Sequence, residues 1–283
     1  MNLLYETLDV FTSTRFGGNP LAVVFDADAL STERMQAVAR EFNYSETTFV
    51  LAPDDPAHDA RVRIFTPTFE MPFAGHPNVG TAYALAAREP GKTRFVFEEI
   101  AGLVAIAVAW DGDAVSNVEI AAPERLTTEE TGSVEDLAAV TNVDAADIVT
   151  QVHPPIAASV GAAFTMVELA SRDALRRVTV TDRAALTRLG GLAAVYAYTR
   201  DADDADIAAR MIFDADGLVE DPATGSATLA CAALIESLTG ESGLTFVQGV
   251  EMGRPSRLVT RVEDGVAYVG GTCVPVMRGE ITV

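Results

Sequence analysis

The chain carries one segment twice. "EMPFAGHPNVGTAYAL", Glu70 to Leu85, and "EDPATGSATLACAALI", Glu220 to Ile235, align without a gap at a spacing of 150 residues, with four identities in sixteen positions. The identities fall at Glu70 and Glu220, Pro72 and Pro222, Gly75 and Gly225, and Ala82 and Ala232. The shared order of events is the stronger signal: acidic residue, proline, glycine, polar residue, apolar run. A period this long exceeds the roughly 20 to 50 residues of a solenoid unit, so the repeat implies two similar domains, each with one buried helix. In the first copy Gly75 allows a tight turn and close approach of another molecule. Pro77 suits the first helical position, where its missing N–H would be unpaired anyway, which makes His76 the N-cap; Ser226 reads as the N-cap of the second copy. Val79, Ala82, Tyr83 and Ala86 then recur at helical spacing. Each helix start aims free N–H groups and about half a positive charge at whatever lies before it. Two such ends facing each other across a cleft would hold a single carboxylate.

The rest of the chain suits this arrangement. A length of 283 residues and a hydrophobic fraction of 49% are enough for two cores. "LLYETLDVF", "LAVVF", "ETTFVLAP", "ARVRIFTP", "TRFVFEE" and "GLVAIAVAW" read as strands, rich in β-branched or aromatic residues and bounded by Gly, Pro or Asp. Helices are expected at Ser31 to Phe42, Asn78 to Arg88, Val134 to Thr141, Asp182 to Leu189 and Ala227 to Leu238. Many strands and few helices in two similar halves give an α+β fold in which each domain wraps a curved, mostly antiparallel sheet around a central helix. "AAPERLTTEE", Ala121 to Glu130, is the best linker, dividing the chain into residues 1–122 and 123–283. The closing strands after Thr245 are candidates to cross back to the first domain.

Charge narrows the partners. The net charge is −21, with one lysine, Lys92, against nineteen arginines. Such a surface repels nucleic acid and anionic membranes, and runs such as "DADDAD" and "TEETGSVED" read as solvated faces. It also suits a salt-rich surrounding, where screening removes self-repulsion. No apolar stretch of about 18 residues reads as a membrane span, and "MNLLYETLDV" lacks the features of a signal peptide. A cytoplasmic protein is the expectation. Cys231 and Cys273 sit in an apolar helix and an apolar strand with no metal-like spacing, so both read as buried small residues.

Three turn-rich segments could carry chemistry. "EFNYSETTFV" places Glu46 between a helix end and an apolar strand, flanked by Tyr44 and Phe49, where partial burial would raise its pKa toward a range useful for proton transfer. "RFGGNPLAVV" and "QGVEMGRPS" each enter a strand through a turn. No glycine-rich loop has dinucleotide or P-loop spacing, no metal-ligand cluster is visible, and "TGSAT" lacks a hydrolase elbow. The expectation is therefore no metal, no cofactor, and proton transfer by side chains.

In order along the chain, "FGGNPLAVV", "NYSETTFV", "MPFAGHPNVGTA", "EDPATGSAT", "QGVEMGRPS" and the closing "VGGTCVPVMRGEI" resemble the motifs of the PhzF-like phenazine-biosynthesis isomerase family, which shares the diaminopimelate epimerase fold. The resemblance covers essentially the whole chain. It implies two topologically similar domains with the active site in the cleft between them, a small carboxylated metabolite as substrate, and a homodimer. By the same resemblance Glu46 matches the general acid and base that removes a proton from one carbon and returns it to another, as in the isomerisation of a dihydro-hydroxyanthranilate. His76 and Asp221 match residues that contact substrate polar groups and assist the transfer. Gly75, Gly225 and Ser226 would supply N–H groups or a hydroxyl to a carboxylate or enolate-like oxygen, with Asn19 and Ser45 as further substrate contacts. A histidine at a helix N-terminus has its cation disfavoured, so His76 is expected to be neutral. Racemases of this fold place thiols at both helix starts; here those positions are Ala74 and Thr224, so a two-thiol epimerisation is unavailable. The chain also departs from the family at Ser159, Val160 and Gly161, followed by alanines where bulkier residues are usual, which would widen a pocket lined by that segment. The alternative is a small-molecule binding protein that keeps the cleft without turnover.

Overall fold

The computed structural model describes every residue except 181–183, 185, 187–188, 190–193 and 215–216. The chain forms two units, Met1–Ala121 with Gly270–Val283, and Ala122–Val269.

In the first unit the strands are β1 (Asn2–Val10), β2 (Asn19–Val24), β3 (Glu46–Leu51), β4 (Ala60–Phe65), β5 (Glu70–Met71), β6 (Arg94–Glu99), β7 (Gly102–Asp111) and β8 (Ala114–Ala121). The helices are α1 (Thr32–Phe42) and α2 (Gly75–Ala86). Alternation makes these strands one-sided: along β7, Val104, Ile106 and Val108 are buried while their neighbours are exposed. Helix α2 has no polar stripe and is buried at residues 75–82, as expected of a helix that packs on all sides. It touches β1, β2 and β3 as well as β7 and β8, so the sheet curves around it. Small side chains make that possible. A Cβ on Gly80 would lie 2.5 Å from Leu21 Cδ2 and 2.8 Å from Val10 Cγ2. Helix α1 covers the other face of the sheet: Ser31 caps it by accepting from the Arg34 N–H, and Met35, Val38 and Ala39 pack with Phe49, Leu51 and Phe65.

The second unit repeats this plan. It holds β9 (Thr127–Glu130), α3 (Val134–Thr141), β10 (Ile148–Val149), β11 (Ile156–Ser159), β12 (Ala163–Leu169), α4 (Arg172–Arg177), β13 (Ala194–Thr199), β14 (Ile207–Asp214), β15 (Leu218–Asp221), α5 (Gly225–Thr239), β16 (Thr245–Gln248), β17 (Ser256–Glu263) and β18 (Val266–Gly271), the last running past the unit's end at Val269. In the first unit β2 and β3 are parallel, β3–β4 and β4–β5 antiparallel, β4 and β6 parallel, and β6–β7 antiparallel. The same series recurs as β12–β13, β13–β14, β14–β15, β14–β16 and β16–β17. Helix α5 is buried from Ala227 to Ile235 and touches β11, β12 and β17, while α3 and α4 build an outer layer in which Leu137 and Leu175 pack with Val167, Val195 and Ile212. The last strand, β19 (Cys273–Thr282), runs antiparallel to β1, so residues 270–283 lie with the first unit and not with 123–269.

Two helix starts differ from the sequence expectation. The N-cap of α2 is Ala74 (φ −153°, ψ 143°) and that of α5 is Thr224 (φ −109°, ψ 88°), so His76 and Ser226 are the second residues inside their helices, not the caps. Pro77 tolerates this because the third helical N–H also lacks an intrahelical acceptor. Helix α4, only six residues long, stands where the sequence predicts no helix, and of the expected helix at 182–189 residues 182–183, 185 and 187–188 lie outside the described residues, while Ala184 and Leu186 are helical. Cys231 and Cys273 are buried and unbridged, and burial pushes both thiols up. Among the described residues no helix is long and apolar enough to cross a membrane.

Candidate active site

The α1–β3 junction sets the position of Glu46. Asn43 ends α1 in the left-handed region at φ 53°, which turns the chain so that Glu46 becomes the first residue of β3. Strand alternation then separates two faces. Phe49 and Leu51 point to the α1 layer, whereas Thr48 reaches α2, with its Oγ1 2.8 Å from Thr81 Oγ1. Glu46 shares the Thr48 face and lies against α2 one turn earlier, its Oε2 3.3 Å from His76 Nε2. Phe49 therefore does not flank Glu46, and Tyr44 stacks instead near Phe42 at 6.1 Å. What screens the carboxylate, 15% exposed, is the start of α2.

Asn19 completes the group. It opens β2, whose parallel register pairs Leu21 with Glu46, and its Nδ2 lies 3.2 Å from His76 Nδ1. An amide nitrogen only donates, so Nδ1 accepts and the ring proton resides on Nε2, facing Glu46. The imidazole is 5% exposed, and burial pushes its pKa down to about 3, leaving it neutral at pH 7. The contact to Glu46 is thus a neutral donor facing a carboxylate, not a pair of opposite charges. Chemically the difference is large: an imidazolium would hold a carboxylate ionised and weaken it as a base, whereas a neutral ring does not. Gly75 is the buried first residue of α2, and Ser45 is exposed in the turn before Glu46.

The second unit holds Asp221, Gly225 and Ser226. Asp221 ends β15, paired with Met211 of β14. Thr224 Oγ1 donates to Asp221 Oδ2 at 2.5 Å, fixing the carboxylate from three residues downstream. Gln248, buried at the end of β16, locks the same turn: its Nε2 donates to the Asp221 carbonyl at 2.7 Å and to Thr224 Oγ1 at 3.1 Å, and its Oε1 accepts from the Thr224 N–H at 3.3 Å. The next residue must be glycine. A Cβ on Gly249, at φ +76°, would lie 2.6 Å from the Pro222 carbonyl. Gly225 is the buried first residue of α5 and Ser226 is half-buried.

Sequence reasoning passed over two of these groups. Gln248 stands in "QGVEMGRPS", where the only available signal was a polar residue before a glycine at a strand end. Glu99, at the end of β6, has both carboxyl oxygens sealed from solvent near Asn78 of α2. Burial pushes that carboxyl up to about 8, with Asn78 opposing in part.

The sequence profile of the family described as "Phenazine biosynthesis-like protein", PhzC-PhzF, matches residues 8–279. The chain belongs to the PhzC-PhzF family. This family member is 41% identical to an uncharacterized isomerase of Mesorhizobium japonicum, over 99% of this chain and 98% of the other. It is 38% identical to the trans-2,3-dihydro-3-hydroxyanthranilate isomerase of Pseudomonas aeruginosa, over 92% and 90% of the two chains. Among solved structures it resembles the PhzF-family phenazine biosynthesis protein of Bacillus anthracis, with a TM-score of 0.90, 25% identity and full coverage of both chains. Like its named relatives, the PhzC-PhzF protein is an isomerase.

Proposed function

We propose that this isomerase moves a proton between two carbons of a small carboxylated substrate, using side chains as acid and base and no cofactor. Glu46 takes the proton as carboxylate, the substrate holds the electron pair in a delocalised, enolate-like form, and the resulting carboxylic acid returns the proton at a second carbon. The observation that carries the reading is the Asn19, His76 and Glu46 array, a carboxylate 3.3 Å from a neutral imidazole that Asn19 holds in one tautomer. His76 lends its Nε2–H to Glu46 or to a substrate oxygen as charge develops. Asp221, held by Thr224 and Gln248, contacts a substrate polar group, as do Asn19 and Ser45, and Gly75, Gly225 and Ser226 offer helix-start donors to a carboxylate. A cyclic amino acid of the kind named for the Pseudomonas aeruginosa relative fits this chemistry. A homodimer in the cytoplasm belongs to the same reading, on family resemblance.

The test is isomerisation of trans-2,3-dihydro-3-hydroxyanthranilate and a panel of small carboxylates by wild type and Glu46→Gln, with binding measured in parallel. The glutamine is nearly isosteric and cannot carry the proton. Turnover is expected to fall by about 10² to 10⁴ with binding retained. A variant that turns over at the wild-type rate would overturn the assignment.

A further inference from the structure

The glutamates that open the two repeated segments are held in the same way. In the first unit Arg63 donates from Nε to Glu70 Oε1 and from Nη2 to Glu70 Oε2, both at 2.6 Å. In the second, Arg210 donates from Nε to Glu220 Oε1 and from Nη2 to Glu220 Oε2, both at 2.8 Å. Register makes the pairs equivalent. Glu70 pairs with Phe65 across β4–β5 and Glu220 with Ile212 across β14–β15, and in each case the arginine stands two residues before the paired position, on the same face. Each glutamate then lies five residues before the glycine that begins the central helix.

The pairs stand where the ladder is weakest. Strand β5 is two residues long and β15 four, too few ladder bonds to fix the segments that follow, Pro72 to Ala74 and Pro222 to Thr224. A bidentate guanidinium–carboxylate pair sets distance and plane together. Both arginines are anchored in turn: Arg63 Nη2 also donates to Thr32 Oγ1 at 3.0 Å in the first turn of α1, and Arg210 Nη1 donates to the carbonyls of Leu175, Arg176 and Val178 at the end of α4, at 3.1, 3.3 and 2.7 Å. Each fork therefore ties the entry of a central helix to an outer helix of its own unit.

We propose that Arg63 and Arg210 are positioning residues, which through Glu70 and Glu220 fix the turns that deliver the α2 and α5 N-termini, and Asp221, to the reaction. The catalytic part of this rests on the function proposed above. The fixing of the turns does not.

Arg63→Lys and Arg210→Lys keep the charge and lose the fork. Backbone amide exchange, read by mass spectrometry on peptides spanning 71–76 and 221–226, is expected to quicken about tenfold in 71–76 for Arg63→Lys and in 221–226 for Arg210→Lys, with exchange elsewhere in that unit unchanged. The exchanged pair Arg63→Glu with Glu70→Arg should recover protection. Should either lysine variant fail to fold, Glu70→Gln and Glu220→Gln, which retain the side-chain shape, take its place. Unchanged exchange in both peptides, or a uniform rise across a unit with a matching fall in melting temperature, would overturn the proposal by reducing the pairs to ordinary stability contacts. On a substrate the wild type turns over, the same variants should lose about tenfold in kcat with KM within about twofold; an unchanged kcat beside quickened exchange would overturn the catalytic part. A wild type that moves no proton overturns the proposed function and leaves the exchange result standing.

Discussion

A buried imidazole that accepts from an amide has only one place for its proton. With Asn19 on Nδ1, the proton of His76 stays on Nε2 toward Glu46, and ¹⁵N NMR should show that tautomer at pH 7 and a neutral ring down to about pH 4, given a pKa near 3. A cationic ring at pH 6 would contradict it. Asn19→Leu removes the donor, and kcat should fall by about 10- to 100-fold with little change in melting temperature. Glu99 carries the pH prediction. Its folded pKa, about 8, lies above the ordinary carboxyl value of 4.5, so between those limits the folded state holds a proton that the unfolded state has lost. Stability from this group is fully present below about pH 4.5 and is lost as pH rises to about 8. Glu99→Gln should therefore gain melting temperature over wild type as pH rises from 4.5 to 8; a pH-independent difference would contradict the assignment. At this scale the sequence revealed residue types and missed directions. Glu46 and His76 stand out by their motifs, but which neighbours screen Glu46 depends on strand parity against two different helices, and Gln248 acts only once β16 lies beside the Asp221 turn.

Between elements, small residues decide how closely the sheet can wrap its helix. Gly80→Ala would drive a methyl to within 2.5 Å of Leu21, and the backbone shift needed should cost about 1 to 3 kcal/mol, read as a lower denaturant midpoint. An unchanged midpoint would mean that α2 sits less tightly than described. Gln248→Leu removes three hydrogen bonds from the Asp221 turn and should destabilise by about 1 to 3 kcal/mol while lowering kcat more than it changes KM. Capping chemistry made α1 legible, Ser31 accepting a bond from the third residue of its helix; Ser133 does the same for α3. The start of α2 differs from expectation because proline is tolerated anywhere in the first turn, so Pro77 does not fix the cap; in α5 Ser226, although favoured as an N-cap, takes the second helical position. Short α4 gave no period to read. It ends in Arg176 and Arg177, suited to a helix C-terminus, but six residues carry too little pattern to separate a helix from a turn.

For the whole molecule, the repeat of sixteen residues was the visible trace of a repeat of pairings, β2 to β7 matched by β12 to β17. That order could not be read from strand propensity, since it is fixed by long-range contacts. A net charge of −21 adds self-repulsion that salt screens, so the melting temperature should rise between low and molar sodium chloride, and a flat or falling curve would show that the acidic surface is already offset by its arginines. The central claim is that Glu46 carries the substrate's proton. Its most direct measurement is the product formed in D₂O from a substrate the wild type isomerises, with deuterium located by NMR and Glu46→Gln run beside it. The account predicts product with wild type, carrying deuterium at the newly protonated carbon only to the extent that the Glu46 carboxylic acid exchanges with solvent before returning its proton, and neither exchange nor product with the variant. Deuterium delivered equally by Glu46→Gln would contradict it and require another base.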